Sequence, residues 1–154
     1  GLDEAMQETT AVAALLHDVG KIGVPDAILR KPSSLTEDEF AAVRRHPEMG
    51  AVIVSAVPGL EGVLDAVRHH HECWNGTGYP AGLRGEETPL MARLMSVADA
   101  YNAMTTNRPY RRAMDPLKAL AILDEGAGSQ WDPACVFAFR AAAEREFAAG
   151  DGGA

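Results

Sequence analysis

A chain of 154 residues, 47% of them hydrophobic, is long enough for one domain with its own core. No apolar run approaches 18 residues, which argues against a membrane span, and a net charge of -8 argues against general nucleic-acid binding, which needs clustered cations. Cys73 and Cys135 lie far apart and form neither a zinc pattern nor a disulfide framework, so the expected setting is a reducing cytoplasm. The acidic, polar start GLDEAMQETT lacks the chemistry of a signal peptide.

Apolar residues recur at helical spacing and β-branched alternation is nearly absent, so the expected fold class is all-α. Residues 4–18 read as a helix that turns fully apolar at AVAALL and ends near Val19-Gly20. Residues 20–35 read as a loop with a short turn at PDAIL. Thr36 and Glu39 spell a capping box, predicting a helix from 37 to about His46. Pro47 suits the start of the next helix, where its missing N–H costs nothing. A further helix is expected over 61–72, followed by a loop, NGTGYPAGLRGEET, with turn-forming glycines at 76, 78, 82 and 85. Thr88-Pro89 opens a long helix to about Thr106, and Asp115-Pro116 and Asp132-Pro133 each open one more. The tail AAGDGGA, residues 148–154, is expected to be disordered.

The candidate chemistry rests on few residues. The histidines are His17, His46, His69, His70 and His71, and two aspartates in apolar surroundings, Asp18 and Asp99, join them. A charged Asp18 beside Leu15 and Leu16, or Asp99 within LMSVADAYNAM, needs a partner if buried, and a metal ion is one such partner. Each item has a plainer alternative: a polar helix end for His17-Asp18, a solvent-facing run for RHHHE, a hydrogen-bonded aspartate for Asp99, a helix-start residue for His46. Adjacent helical residues point about 100° apart, so His70 and His71 can approach one ion from two angles or serve two ions. His69 points elsewhere and takes no role. Imidazole and carboxylate without thiolate disfavour structural zinc and suit iron or manganese, with zinc or nickel also compatible. A carboxylate such as Asp18 can bridge two divalent ions, and two ions about 3.5–4 Å apart suit in-line displacement at phosphorus.

In order, HDVGKIGVPDAILRKPSSLT, HPEMG, HHECWNGTGYPAGLRGEETPLMARLMSVADAY and RPYRRAM resemble the HD-GYP family, a subgroup of the HD-domain metal phosphohydrolases, from about residue 11 to 137. The resemblance implies an all-α, compact helical bundle with a long Gly/Pro-containing loop near the site, and a phosphodiesterase hydrolysing cyclic di-GMP to pGpG and in some members to GMP. It implies two divalent metal ions held by His17, Asp18, His46, His70, His71 and Asp99. Asp18 and Lys21 would serve catalysis, and Lys21, Arg108, Arg111 and Tyr79 would meet substrate, guanidinium being suited to phosphate. Glu72 would orient a histidine rather than ligate. The GYP loop, Gly76 to Pro80, is associated in the family with docking of GGDEF-domain proteins.

Asn75 and Asn102 stand where the family often has Asp, and the loss at 102 is expected to weaken hydrogen bonding around the centre. The family's domain usually has helices ahead of the GLDEAM stretch, so residues 1–147 read as a single domain lacking them. A third metal is then not expected, and an uncovered apolar face would favour self-association. Two rival functions follow: a catalytically weak module that binds a cyclic dinucleotide or a protein, and a phosphohydrolase for other nucleotides.

Overall fold

The computed structural model describes residues 3–107 and 112–150. Among the described residues eight α-helices follow in chain order: α1 Glu4–Leu16, α2 Asp26–Leu29, α3 Glu37–Val43, α4 His46–Ser55, α5 Leu64–His69, α6 Leu90–Thr105, α7 Pro116–Gly126 and α8 Pro133–Gly150. Three 3-10 turns, Val19–Gly23, Glu61–Val63 and Gly85–Glu87, link them. Among the described residues the only β-type pairings are two isolated bridges, Asn75 with Arg84 and Ala127 with Trp131. The fold is all-α, as expected.

Local chemistry sets most helix starts. Asp3 accepts from the Met6 N–H at 2.8 Å and opens α1. Thr36 and Glu39 form the reciprocal capping box of α3, satisfying two N–H groups that the first turn leaves without partners. Asp115 accepts from the N–H groups of Leu117 and Lys118 ahead of Pro116, and Asp132 from that of Ala134 ahead of Pro133.

α6 serves two apolar clusters. On one side Ala13 of α1, Val54 of α4, Ala66 and Val67 of α5 and Met95 of α6 close around Val63. On the other, Val97 meets Leu120 and Leu123 of α7 and Cys135, Val136 and Ala143 of α8, with Trp131 closing the end. Full burial of a leucine such as 120 or 123 contributes about 1.5–3 kcal/mol. The functional candidates collect above the first cluster, where α1, α4 and α5 end or begin beside the middle of α6.

The structure moves several expected boundaries. α1 stops at Leu16 and passes into a 3-10 turn. The expected 37–46 helix ends at Val43, and after Arg44 and Arg45 His46 is the first residue of α4. The 61–72 segment splits into a 3-10 turn and a short α5 ending at His69, so His70 and His71 lie just beyond it. α8 runs on to Gly150, so residues 148–150 of the expected disordered tail are helical, continuing an alanine-rich stretch of high helix propensity. Arg108 and Arg111, the expected phosphate-binding cations, lie outside the described residues.

Candidate metal centre

Four backbone segments deliver the six candidate ligands to one place. His17 caps the C-terminus of α1 and Asp18 leads into the following 3-10 turn. That turn lies directly against the start of α4: a Cβ added to Gly20 would stand 1.9 Å from the His46 carbonyl oxygen and 2.4 Å from the Gly50 nitrogen. Only glycine permits this approach, and it sets Asp18 beside His46. His70 and His71 come from the turn after α5, and Asp99 from the middle of α6.

The ring nitrogens are already sorted by hydrogen bonding. Nδ1 of His17, His46 and His70 donates to the carbonyl oxygens of Ala14, Val43 and Val67, at 2.7, 2.7 and 2.8 Å. A carbonyl can only accept, so Nδ1 carries the proton in each and a neutral ring offers a lone pair at Nε2. These Nε2 atoms point at one another and at carboxylates. His46 Nε2 is 3.3 Å from His70 Nε2 and 3.3 Å from Asp18 Oδ1. His17 Nε2 is 3.5 Å from Asp18 Oδ2 and 3.7 Å from Asp99 Oδ1. His71 packs its ring 4.1 Å from that of His70 and 5.0 Å from that of His46. His46, His70 and His71 each offer a ring nitrogen within 4.8 Å of the others, a cluster able to hold a metal ion.

Electrostatics keep His70 and His71 unprotonated and Asp18 ionised. Burial pushes His70 down to about 3, aided by the charges of His71, His17 and His46 and opposed by its bond to Val67. Burial likewise pushes His71 down to about 4. Burial alone would raise the Asp18 carboxyl. The contacts with His46 and Lys21, together with the Lys21 charge, outweigh it and hold the group well below the usual carboxylate range. Lys21 Nζ sits 2.5 Å from Asp18 Oδ2.

A donor set of this kind fits divalent cations. Lone pairs and carboxylate oxygens converge with spacings of 3.3–3.7 Å. Ligands bonded at about 2.1 Å around one ion stand roughly 3–3.5 Å apart, so little adjustment separates this arrangement from coordination. Asp18 turns one oxygen to His46 and the other to His17.

The GYP loop closes over one side. Tyr79 stacks on His71 at 4.8 Å with 27° between the rings, and the Arg44 guanidinium lies 4.6 Å from the Tyr79 centroid. Burial raises the Tyr79 phenol to about 12, against the opposing charge of Arg44, so the phenol stays protonated. Gly78 is obligatory here, because a Cβ would lie 2.2 Å from the Cys73 nitrogen. Glu72, fully buried, accepts from the Ala81 and Leu83 N–H groups at 2.8 and 3.1 Å and meets His69 Nδ1 at 3.4 Å. It therefore anchors the loop, and the histidine it touches lies outside the ligand set. Asn102 is exposed, and its side-chain oxygen accepts from the Thr106 hydroxyl. Asn75 accepts from both the N–H and the hydroxyl of Thr77, a role asparagine and aspartate fill equally. Sequence reasoning missed Arg44. Its only cue was a pair of arginines ahead of His46, with nothing to show that the first would reach a loop 35 residues later.

A family model described as an HD domain matches residues 1–135. A cyclic di-GMP phosphodiesterase of Vibrio cholerae is 44% identical over 151 residues, covering 94% of this chain and 31% of its own length. A 3'3'-cGAMP-specific phosphodiesterase of the same organism is 43% identical over 130 residues, covering 84% and 28%. Bd1817 of Bdellovibrio bacteriovorus, described as an HDG"Y"P protein, superposes with a TM-score of 0.68 at 25% identity, covering 88% of this chain and 43% of that one. The chain spans about a third of the length of the curated relatives it matches.

Proposed function

The chain belongs to the HD-domain family, and from that membership we propose that it is a metal-dependent phosphodiesterase that opens cyclic di-GMP to pGpG. The observation that carries the proposal is the facing of His46 Nε2 and His70 Nε2 across 3.3 Å, with Asp18 alongside. Such a group of acceptors is repulsive until a cation joins it.

His17, Asp18, His46, His70, His71 and Asp99 would hold two divalent ions, iron or manganese by ligand type. When bound, such ions supply Lewis acidity and activate water for attack. Asp18, half-exposed, would be among the residues holding the ions, with Lys21 fixing its orientation. The Lys21 ammonium has further N–H donors for a phosphate oxygen, with Arg108 and Arg111 as additional cations from the segment after α6. Water adds to phosphorus, the P–O3′ bond breaks, and the 3′ oxygen takes up a proton. The protonated Tyr79 phenol is suited to donate a hydrogen bond and unsuited to act as a base. The exposed Thr77 and Ala81 at the loop tip leave a surface for a GGDEF-domain partner.

The test is nucleotide chromatography of cyclic di-GMP after incubation with metal-loaded protein. Formation of pGpG is expected, and undiminished turnover by His17→Ala and Asp18→Ala would reject the assignment. The 43% identity to a 3'3'-cGAMP-specific enzyme favours one second reading, in which the mixed cyclic dinucleotide is the substrate. Parallel assays with both dinucleotides decide it by kcat/KM.

A further inference from the structure

We infer that Arg44, clamped between Phe40 and Tyr79 at the edge of the metal centre, binds the second, non-scissile phosphate of a cyclic dinucleotide. The inference rests on the phosphodiesterase reading above and gives it a specificity residue.

Arg44 caps α3, one turn after Phe40, and its guanidinium carbon lies 5.4 Å from the Phe40 ring centroid. The same carbon lies 4.6 Å from the Tyr79 centroid, and Tyr79 is stacked on His71. The two ring contacts hold an exposed side chain that would otherwise wander, and they hold it one aromatic ring away from a candidate ligand. Cation–π attraction of this kind biases the rotamer.

What the clamp does not use is the guanidinium edge. Arg93 and Arg140 each spend their N–H groups on a carboxylate, and Lys21 and Lys31 are paired likewise. Among the described residues no carboxylate pairs with Arg44. Its face lies on rings, so its edge and N–H fork remain available. A planar fork held in place is matched to a phosphate and loses little entropy on binding it. The scissile phosphate belongs at the metal centre with Lys21. A cyclic dinucleotide carries a second phosphate across its ring, and Arg44 stands beside the centre to receive it. A mononucleotide has no such group.

The experiment compares wild type, Arg44→Ala and Arg44→Lys. Chelator-treated protein, which cannot turn over, is titrated calorimetrically with cyclic di-GMP and with GMP as the one-phosphate control. A charge-assisted bidentate contact corresponds to about a 10- to 100-fold loss of cyclic di-GMP affinity in Arg44→Ala. The loss for GMP should be several-fold smaller, and Arg44→Lys should fall between, retaining charge without the fork. Wild-type affinity in Arg44→Ala would overturn the inference, as would equal losses for both ligands, the mark of a purely structural contact with Tyr79. Hydrolysis of bis(p-nitrophenyl) phosphate by manganese-loaded wild type reports on the parent reading separately. If wild type neither cleaves that diester nor binds cyclic di-GMP, the phosphodiesterase assignment fails and takes the Arg44 role with it.

Discussion

The histidine cluster and the Arg93–Asp132 pair are both largely buried polar assemblies attached to α6, and they are built in opposite ways. At Arg93 a cation meets an anion: Nη1 donates to Asp132 Oδ2 at 2.6 Å, Nε donates to the Thr88 carbonyl at 2.9 Å, and the guanidinium lies 5.8 Å from the Trp74 ring. Asp132 also receives the Ala134 N–H and the Cys135 thiol. Its charges are spent within the protein. At the histidines acceptor meets acceptor, and Lys21 is committed to one oxygen of Asp18. Burial of polar groups is costly in both places. In the first the protein supplies the compensation, whereas the second is complementary to something from outside.

The sharpest break of this contrast is at the histidines. His46→Ala should strip metal and reduce phosphodiesterase activity by more than the roughly 10- to 100-fold that loss of a ligand's orienting partner costs. Elemental analysis beside turnover checks it; full metal occupancy in the variant would place the ions elsewhere.

The Arg93 assembly should fail in the other direction. Asp132→Ala leaves Arg93 without its counter-ion, a change that costs about 3–5 kcal/mol when such a charge is buried. Urea unfolding should show that loss while metal content stays near wild type. The pH dependence has a definite sign. Burial pushes the Asp132 carboxyl up, but the Ala134 N–H, Arg93 and the Cys135 thiol outweigh it and hold the folded pKa below its unfolded value. The stabilisation is therefore present above the unfolded value of about 3.9 and fades as pH falls through the lower folded value. The gap between wild type and Asp132→Asn should be constant from pH 7 to 5 and shrink only below about 4.

Glu72 lies between the two assemblies and joins the His69–Glu72 turn to the GYP loop. Glu72→Gln keeps one acceptor oxygen but loses the charge and one loop contact, a change on the order of 1–3 kcal/mol. The amides of Ala81 and Leu83 should exchange faster in deuterium oxide, with metal retained. Loss of metal together with unchanged exchange would make Glu72 part of the centre after all.

These effects fall where the sequence was legible to different degrees. The caps at Thr36, Asp115 and Asp132 were legible because each acts within three residues. The cluster was legible because histidine is scarce and four of the five converge. The exact break at Arg44-Arg45 was not: Pro47 marks the start of the next helix, but EDEFAAVRRH keeps its helical character to His46, three residues past the observed end at Val43. Glu72 was misjudged because its partners are backbone N–H groups, which every residue but proline carries and no composition reveals. The contact of Arg44 with Tyr79 was invisible for a related reason: it depends on how a loop folds back onto a helix end.

The smallest expected effect tests a departure that looked significant in the sequence. Asn102 stands, by the family resemblance, where a carboxylate is expected, one turn beyond Asp99, and its loss there predicts a weakened centre. Its side chain is exposed and accepts from the Thr106 hydroxyl at 3.0 Å, a contact that aspartate would make as well. An exposed exchange of this kind is worth less than about 0.5 kcal/mol. Asn102→Asp should therefore leave metal content unaltered and change kcat/KM by no more than about twofold, the rate equivalent of that energy. A tenfold gain would mean that residue 102 turns inward when substrate is bound, and that α6 contributes a second acidic residue to the acceptor-rich side of the comparison.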